Sequence, residues 1–151
     1  ELALEHMRFE NTEVKRLRDR LEAGILPAVP SSFVTGDASN RLPNTANIAF
    51  EYIEGEAILL LLNQQGIAAS SGSACTSGSL EPSHVMRAMG IPYTAAHGTV
   101  RFSLSRYNTE SEINRVIAAV PPIIARLRKL SPYWGDLAES SGVVNFQPSM
   151  A

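Results

Sequence analysis

The chain holds a single cysteine, Cys75, among its 151 residues. One thiol excludes an internal disulfide framework and any all-thiolate metal site built by one chain. A reducing cytoplasm is the setting this cysteine usage favours. Surplus charge is also absent. A formal net charge of −2 and a pI near 5.9 leave no basic excess for nucleic acid or an anionic membrane surface, so neither is expected as a partner. The longest apolar run, Ala57 to Leu62, falls far short of the roughly 20 residues that a spanning helix needs. No secretory signal pattern opens the sequence, and no internal repeat or low-complexity tract interrupts it.

What is present is enough for one ordinary core: 44% of the residues are apolar. Leu4, Met7, Val14, Leu17 and Leu21 recur at near-heptad spacing between charged residues. They predict an amphipathic helix that ends near Gly24, with Pro27 and Pro30 barring its continuation. The chain opens already in helical pattern, with no cap ahead of Glu1, which predicts entry partway along a helix of a longer protein. A short strand is expected over residues 32–35 and a better one over 47–53, where Ile48, Phe50 and Tyr52 alternate. Residues 56–65 read as a helix apolar nearly all round, expected to be covered on both sides and stopped by Gly66. Residues 67–70 read as a strand, 85–89 as a short helix capped by Ser83, and 99–105 as a strand. Thr109 and Glu112 fit a capping box for a long final helix, which Pro121-Pro122 is expected to kink or divide. This order predicts an α/β fold, a small two-layer sandwich of a mostly antiparallel sheet with flanking helices.

Chemistry is most concentrated around Cys75, in Ser70-Ser71-Gly72-Ser73-Ala74-Cys75-Thr76-Ser77-Gly78. Free cysteine is ordinarily buried and inert. Here nothing bulky flanks it, and small residues bring little apolar area to offset the entropy of ordering, which predicts a pliant, hydrated loop. No lysine or arginine adjoins the thiol to lower its pKa. His84 and His97 are potential helpers or bystanders that sequence alone does not place. A metal site is not expected, because one cysteine and scattered histidines lack ligand spacing. Gly72 and Gly78 lack the lysine and spacing of a phosphate loop. Arg101 lies on the polar face of a predicted strand, beside Ser103 and Ser105. A guanidinium held there suits bidentate recognition of a carboxylate, with a plain solvated arginine as the alternative. Arg41 and Arg106 are weaker versions of the same idea. Asn44 and Asn47 fit turn and cap roles more readily than ligand roles.

Ser70-Ser71-Gly72-Ser73-Ala74-Cys75, Leu42-Pro43-Asn44-Thr45-Ala46-Asn47 and Val100-Arg101-Phe102-Ser103-Leu104-Ser105-Arg106 together resemble the C-terminal part of the cysteine desulfurases. The likeness is to the nitrogen-fixation-type members of aminotransferase class V. It is dense over residues 30–130 and looser over the first helix. The resemblance implies the small C-terminal domain of a pyridoxal-phosphate enzyme of fold type I, whose large domain lies outside this sequence. On that reading residues 1–26 form a connecting helix, 27–131 the small domain with its cysteine loop at 70–82, and 132–151 a tail. It implies conversion of L-cysteine to L-alanine with a persulfide on Cys75, Arg101 as the clamp on the substrate carboxylate, and Asn44 as a further substrate contact. An iron–sulfur scaffold protein as sulfur acceptor and a homodimeric parent are implied as partners.

The departure from that family lies in the lysines. Only Lys15 and Lys129 are present, and neither lies in a Ser-Gly-His-Lys cofactor segment. This chain alone is therefore expected neither to bind pyridoxal phosphate nor to turn over cysteine. A selenocysteine lyase is the enzymatic alternative, and an interaction or redox-thiol module the non-enzymatic one.

Overall fold

A computed structural model describes residues 2–71, 83–132 and 134. Thr99-Val100-Arg101-Phe102-Ser103 forms strand β4 (Thr99–Ser103), and burial follows its alternation: Val100 and Phe102 are buried, Arg101 and Ser103 exposed. β4 is an inner strand of a four-stranded antiparallel sheet among the described residues. The spatial order is β1 (Ser32–Val34), β2 (Thr45–Phe50), β4 and β3 (Ser70–Ser71). The register sets Asn47 opposite Arg101 on one side and Ser70 opposite it on the other.

The helices are α1 (Leu2–Phe9), α2 (Lys15–Ile25), α3 (Gly55–Gln64), α4 (His84–Ala88), α5 (Tyr93–Ala96) and α6 (Glu110–Leu130). The apolar face of the sheet meets the apolar sides of α2, α3 and α6. Ile48, Phe50, Val100 and Phe102 pack in one core with Leu17, Leu21, Ile25, Ile58, Leu62, Ile113, Val120 and Ile124. Each of these helices buries one stripe and leaves its polar side in water. The result is the expected two-layer α/β sandwich.

Several local expectations are corrected. The first helix ends near Gly24 as expected, but Gly24 is not its cap. It runs to Ile25 and into a 3-10 turn, Leu26–Ala28. Gly24 instead gives room: a Cβ there would lie 2.6 Å from Ile117 Cδ1. A single π turn, Glu10–Val14, divides the stripe. Val14, Leu17 and Leu21 are buried, whereas Leu4 and Met7 are 74% and 53% exposed. The second strand ends at Phe50, because Tyr52 adopts a left-handed backbone (φ 66°) that no strand continues. Strand β3 starts only at Ser70. On α3, Ile58 and Leu62 are buried but Leu60 is 61% exposed, so that helix is covered on one side. The short helix α5 was not signalled by any periodicity. Pro121 and Pro122 do not divide α6. Ala118 and Pro122 lie on its exposed side, where water can take up the carbonyls that lose their donors.

Other signals hold. Ser83 Oγ accepts from Val85 N–H. The capping box has both its bonds, Glu112 N–H to Thr109 Oγ1 at 3.3 Å and Thr109 N–H to Glu112 Oε2 at 2.8 Å. Near the end of α6, buried Arg128 donates to the carbonyls of Pro30 (2.6 Å) and Ser31 (2.9 Å), fixing the lead into β1. Its guanidinium lies 4.1 Å from the ring centre of Trp134.

Gly98 shows how tightly β4 is fed into the sheet. Its carbonyl accepts from Phe50 N–H at 3.0 Å, and a Cβ at this position would overlap the Phe50 carbonyl oxygen. Backbone cannot yield as a side-chain tip can, so Gly98→Ala is expected to lower the unfolding free energy by about 3 kcal/mol, read by urea denaturation.

Candidate active site

The candidate site is the polar face of the β2–β4–β3 row, and α2 holds its approach in place. Arg18 Nη1 donates to the Leu42 carbonyl at 2.8 Å, while Glu22, only 8% exposed, receives both fork nitrogens of Arg41 at 2.7 Å. Hydrogen bonding to Glu22 keeps the Arg41 pKa above its ordinary value. These contacts fix residues 41 and 42 and deliver Asn44 to the sheet, where its carbonyl accepts from Leu104 N–H at 2.7 Å.

Three arginines are candidates for a carboxylate clamp, and the structure separates them. Arg41 is committed to Glu22. Arg106 donates to the Tyr107 hydroxyl at 2.7 Å and stacks 4.7 Å from that ring. Arg101 is exposed and has no hydrogen-bond or ion-pair partner among the described residues. A guanidinium on an inner strand, unpaired and facing outward, retains its whole fork for a ligand.

Asn44 lies just ahead of β2, three residues before Asn47, the residue opposite Arg101, a separation of about 10 Å at strand rise. Its Oδ1 accepts from Thr45 Oγ1 at 3.2 Å, and its amide N–H groups have no partner among the described residues. The structure thus pairs Arg101 with Asn47 more directly than with Asn44. The polar alternation Thr45, Asn47 against Ile48, Phe50 was the available signal for that placement, and a reading of Asn47 as a turn residue passes over it. A cleft of about 180 Å³ adjoins this row, lined by Thr35, Arg41, Leu42, Thr45 and Asn47.

Cys75 lies outside the described residues. In sequence it follows Ser70, the strand neighbour of Arg101, by five positions. His84 opens α4 in an exposed position. His97 is half-buried, edge-on to Tyr93 at 5.0 Å, with Nδ1 4.0 Å from Glu54. No group of three or more His, Cys, Asp or Glu side chains suited to a metal ion occurs among the described residues, and none of their helices is long and apolar enough to cross a membrane.

Residues 2–116 match the aminotransferase class-V family. The chain is 82% identical over 134 residues to a cysteine desulfurase of Azotobacter chroococcum mcd 1, covering 89% of this chain and 34% of that protein. It is 81% identical over 134 residues to the cysteine desulfurase NifS of Azotobacter vinelandii, covering 89% and 33% respectively. A cysteine desulfurase of Gluconacetobacter diazotrophicus is 63% identical over 152 residues, covering the whole of this chain and 37% of its own length. Among solved structures, a NifS-like protein aligns with a TM-score of 0.71 at 28% identity, covering 83% of this chain and 31% of that one. The X-ray structure of a NifS-like protein from Rickettsia africae ESF-5 gives 0.70 at 28% identity, covering 82% and 31%. The chain belongs to the class-V aminotransferase family. It spans about a third of the length of the curated cysteine desulfurases it matches.

Family membership implies pyridoxal phosphate in the whole enzyme. Neither of the two lysines stands beside Arg101. Lys15 is exposed and paired with Asp19 at 2.8 Å, Lys129 is exposed in the last turn of α6, and both helices cover the opposite face of the sheet from Arg101.

The geometry predicts a clean division between two arginines. Arg41→Ala leaves the Glu22 carboxylate buried without its cation and is expected to cost about 3 kcal/mol of unfolding free energy. Arg101→Ala removes no hydrogen bond or ion pair made among the described residues and should fall within about 0.5 kcal/mol of the parent in the same urea titration.

Proposed function

We propose that this chain is the sulfur-accepting and substrate-clamping part of a cysteine desulfurase. The observation that carries the reading is the Arg101 guanidinium, without a partner among the described residues and fixed on an inner strand opposite Ser70, five positions ahead of the single cysteine in sequence. Arg101 binds the carboxylate of L-cysteine through its fork, and Asn44 offers its free amide N–H groups to the same substrate. The Cys75 thiolate attacks the substrate sulfur. The substrate Cβ–S bond breaks, an S–S bond forms to Cys75, and a proton takes the place of sulfur on the methyl group of the departing L-alanine. The electron-sink chemistry belongs to the part of the enzyme outside this chain. Cys75 then hands its outer sulfur to an acceptor, an iron–sulfur scaffold protein, in the cytoplasm, with the whole enzyme acting as a homodimer.

In the full-length enzyme, Cys75→Ser should abolish persulfide formation from L-cysteine, followed by intact mass with a thiol-reactive probe. Arg101→Ala should raise KM for L-cysteine about 100-fold, with Arg101→Lys recovering only part, because a point charge does not replace a bidentate fork. Persulfide formation at the parental rate by Cys75→Ser overturns the reading.

The present polypeptide by itself should show neither a cofactor absorbance band with pyridoxal phosphate nor alanine release from L-cysteine. Either signal would contradict the placement of the cofactor site outside this chain.

A further inference from the structure

The polar row contains an acceptor with nothing to accept. Asn47 Oδ1 is buried and has no hydrogen-bond partner among the described residues. One end of its amide is held. Nδ2 donates to Thr35 Oγ1 at 2.7 Å, and the Thr35 hydroxyl donates in turn to the Asn47 carbonyl at 3.4 Å. Thr35 N–H also donates to that carbonyl at 2.9 Å, so the residue is tied at both backbone and side chain. A buried carbonyl oxygen left unpaired is costly, and its persistence calls for a partner that arrives in another state.

Two donors stand near enough in the fold to be considered. Arg41 Nε lines the same cleft and is itself buried and unpaired, but its guanidinium is anchored by two bonds to Glu22 and still leaves Asn47 Oδ1 unsatisfied. Arg101 is directly opposite Asn47 across the β2–β4 ladder, on the same face, and has no partner to leave among the described residues. Directly opposed side chains on one face of an antiparallel pair have Cβ atoms about 5 Å apart, within reach of an arginine and an amide.

We propose that Asn47 is a positioning residue for Arg101. Its locked amide oxygen receives one N–H of the guanidinium when the fork closes on a carboxylate, setting the plane in which the remaining N–H groups meet the substrate. This inference rests on the clamp role of Arg101 and adds to it the residue that aims the clamp.

The test is a double-mutant cycle in the full-length enzyme, with L-cysteine turnover and equilibrium binding of the product L-alanine as readouts. Asn47→Leu keeps the side-chain size and removes the acceptor. It should raise KM for L-cysteine and Kd for L-alanine by about tenfold each, with kcat falling less than KM rises. In an Arg101→Ala background the same substitution should change both constants less than twofold. Equal effects in the two backgrounds, or no effect in either, overturn the proposal. Arg101→Ala alone leaving KM unchanged instead overturns the clamp itself, so the two failures are distinct. Thr35→Val, which unlocks the amide without touching Asn47, should raise KM about threefold through Arg101 only. It carries the same comparison if Asn47→Leu does not fold.

Discussion

The two-sidedness of β4 is the constraint on which the rest of the structure depends. Val100 and Phe102 must lie under helices because their transfer from water drives the packing of α2, α3 and α6 onto the sheet. Period-two geometry then commits Arg101 to the other side with no further instruction. A one-residue slip in the β2–β4 register would bury the guanidinium and expose Phe102, so hydrophobic burial itself enforces the functional orientation. The arginine needs no partner of its own to be held in place.

The charged groups of the chain divide by the same logic. Where an arginine is buried it is engaged: Arg18 with Asp19 and the Leu42 carbonyl, Arg41 with Glu22, Arg128 with two backbone carbonyls and the Trp134 ring. The Arg41–Glu22 contact is costly to break because Glu22 stays buried. These arginine contacts join the helical layer to the lead-ins of β1 and β2, the segments that set the height of the polar face. Arg101 lies outside this bracing, and its freedom is a consequence of its being unnecessary for folding. A side chain that contributes little to stability and projects from a rigid strand is well arranged to spend its interactions on a ligand.

The match to class-V aminotransferases and the coverage of about a third of the curated relatives agree with that arrangement. One face of the sandwich is completed by its own helices, while the other presents hydrogen-bonding groups that nothing among the described residues satisfies. Asn47 Oδ1 and Arg101 are the plainest of these. The lysines, by contrast, lie with the helices.

The sequence by itself determined the layer architecture, the strand carrying Arg101, the capping box at Thr109 and the family resemblance. Each of these is written in local chemistry: alternation of two, repetition near 3.6, a hydroxyl three residues ahead of a carboxylate. Tertiary structure alone decided the rest. Pro121 and Pro122 pass through α6 intact because of which side of the helix meets water. Gly24 serves helix packing because Ile117, almost a hundred residues away in the chain, comes to rest against it. Arg41 and Arg101 are alike on paper, and only folding brings a buried carboxylate to the first and leaves the second open, since electrostatic partnership depends on distance in space, which sequence separation does not encode.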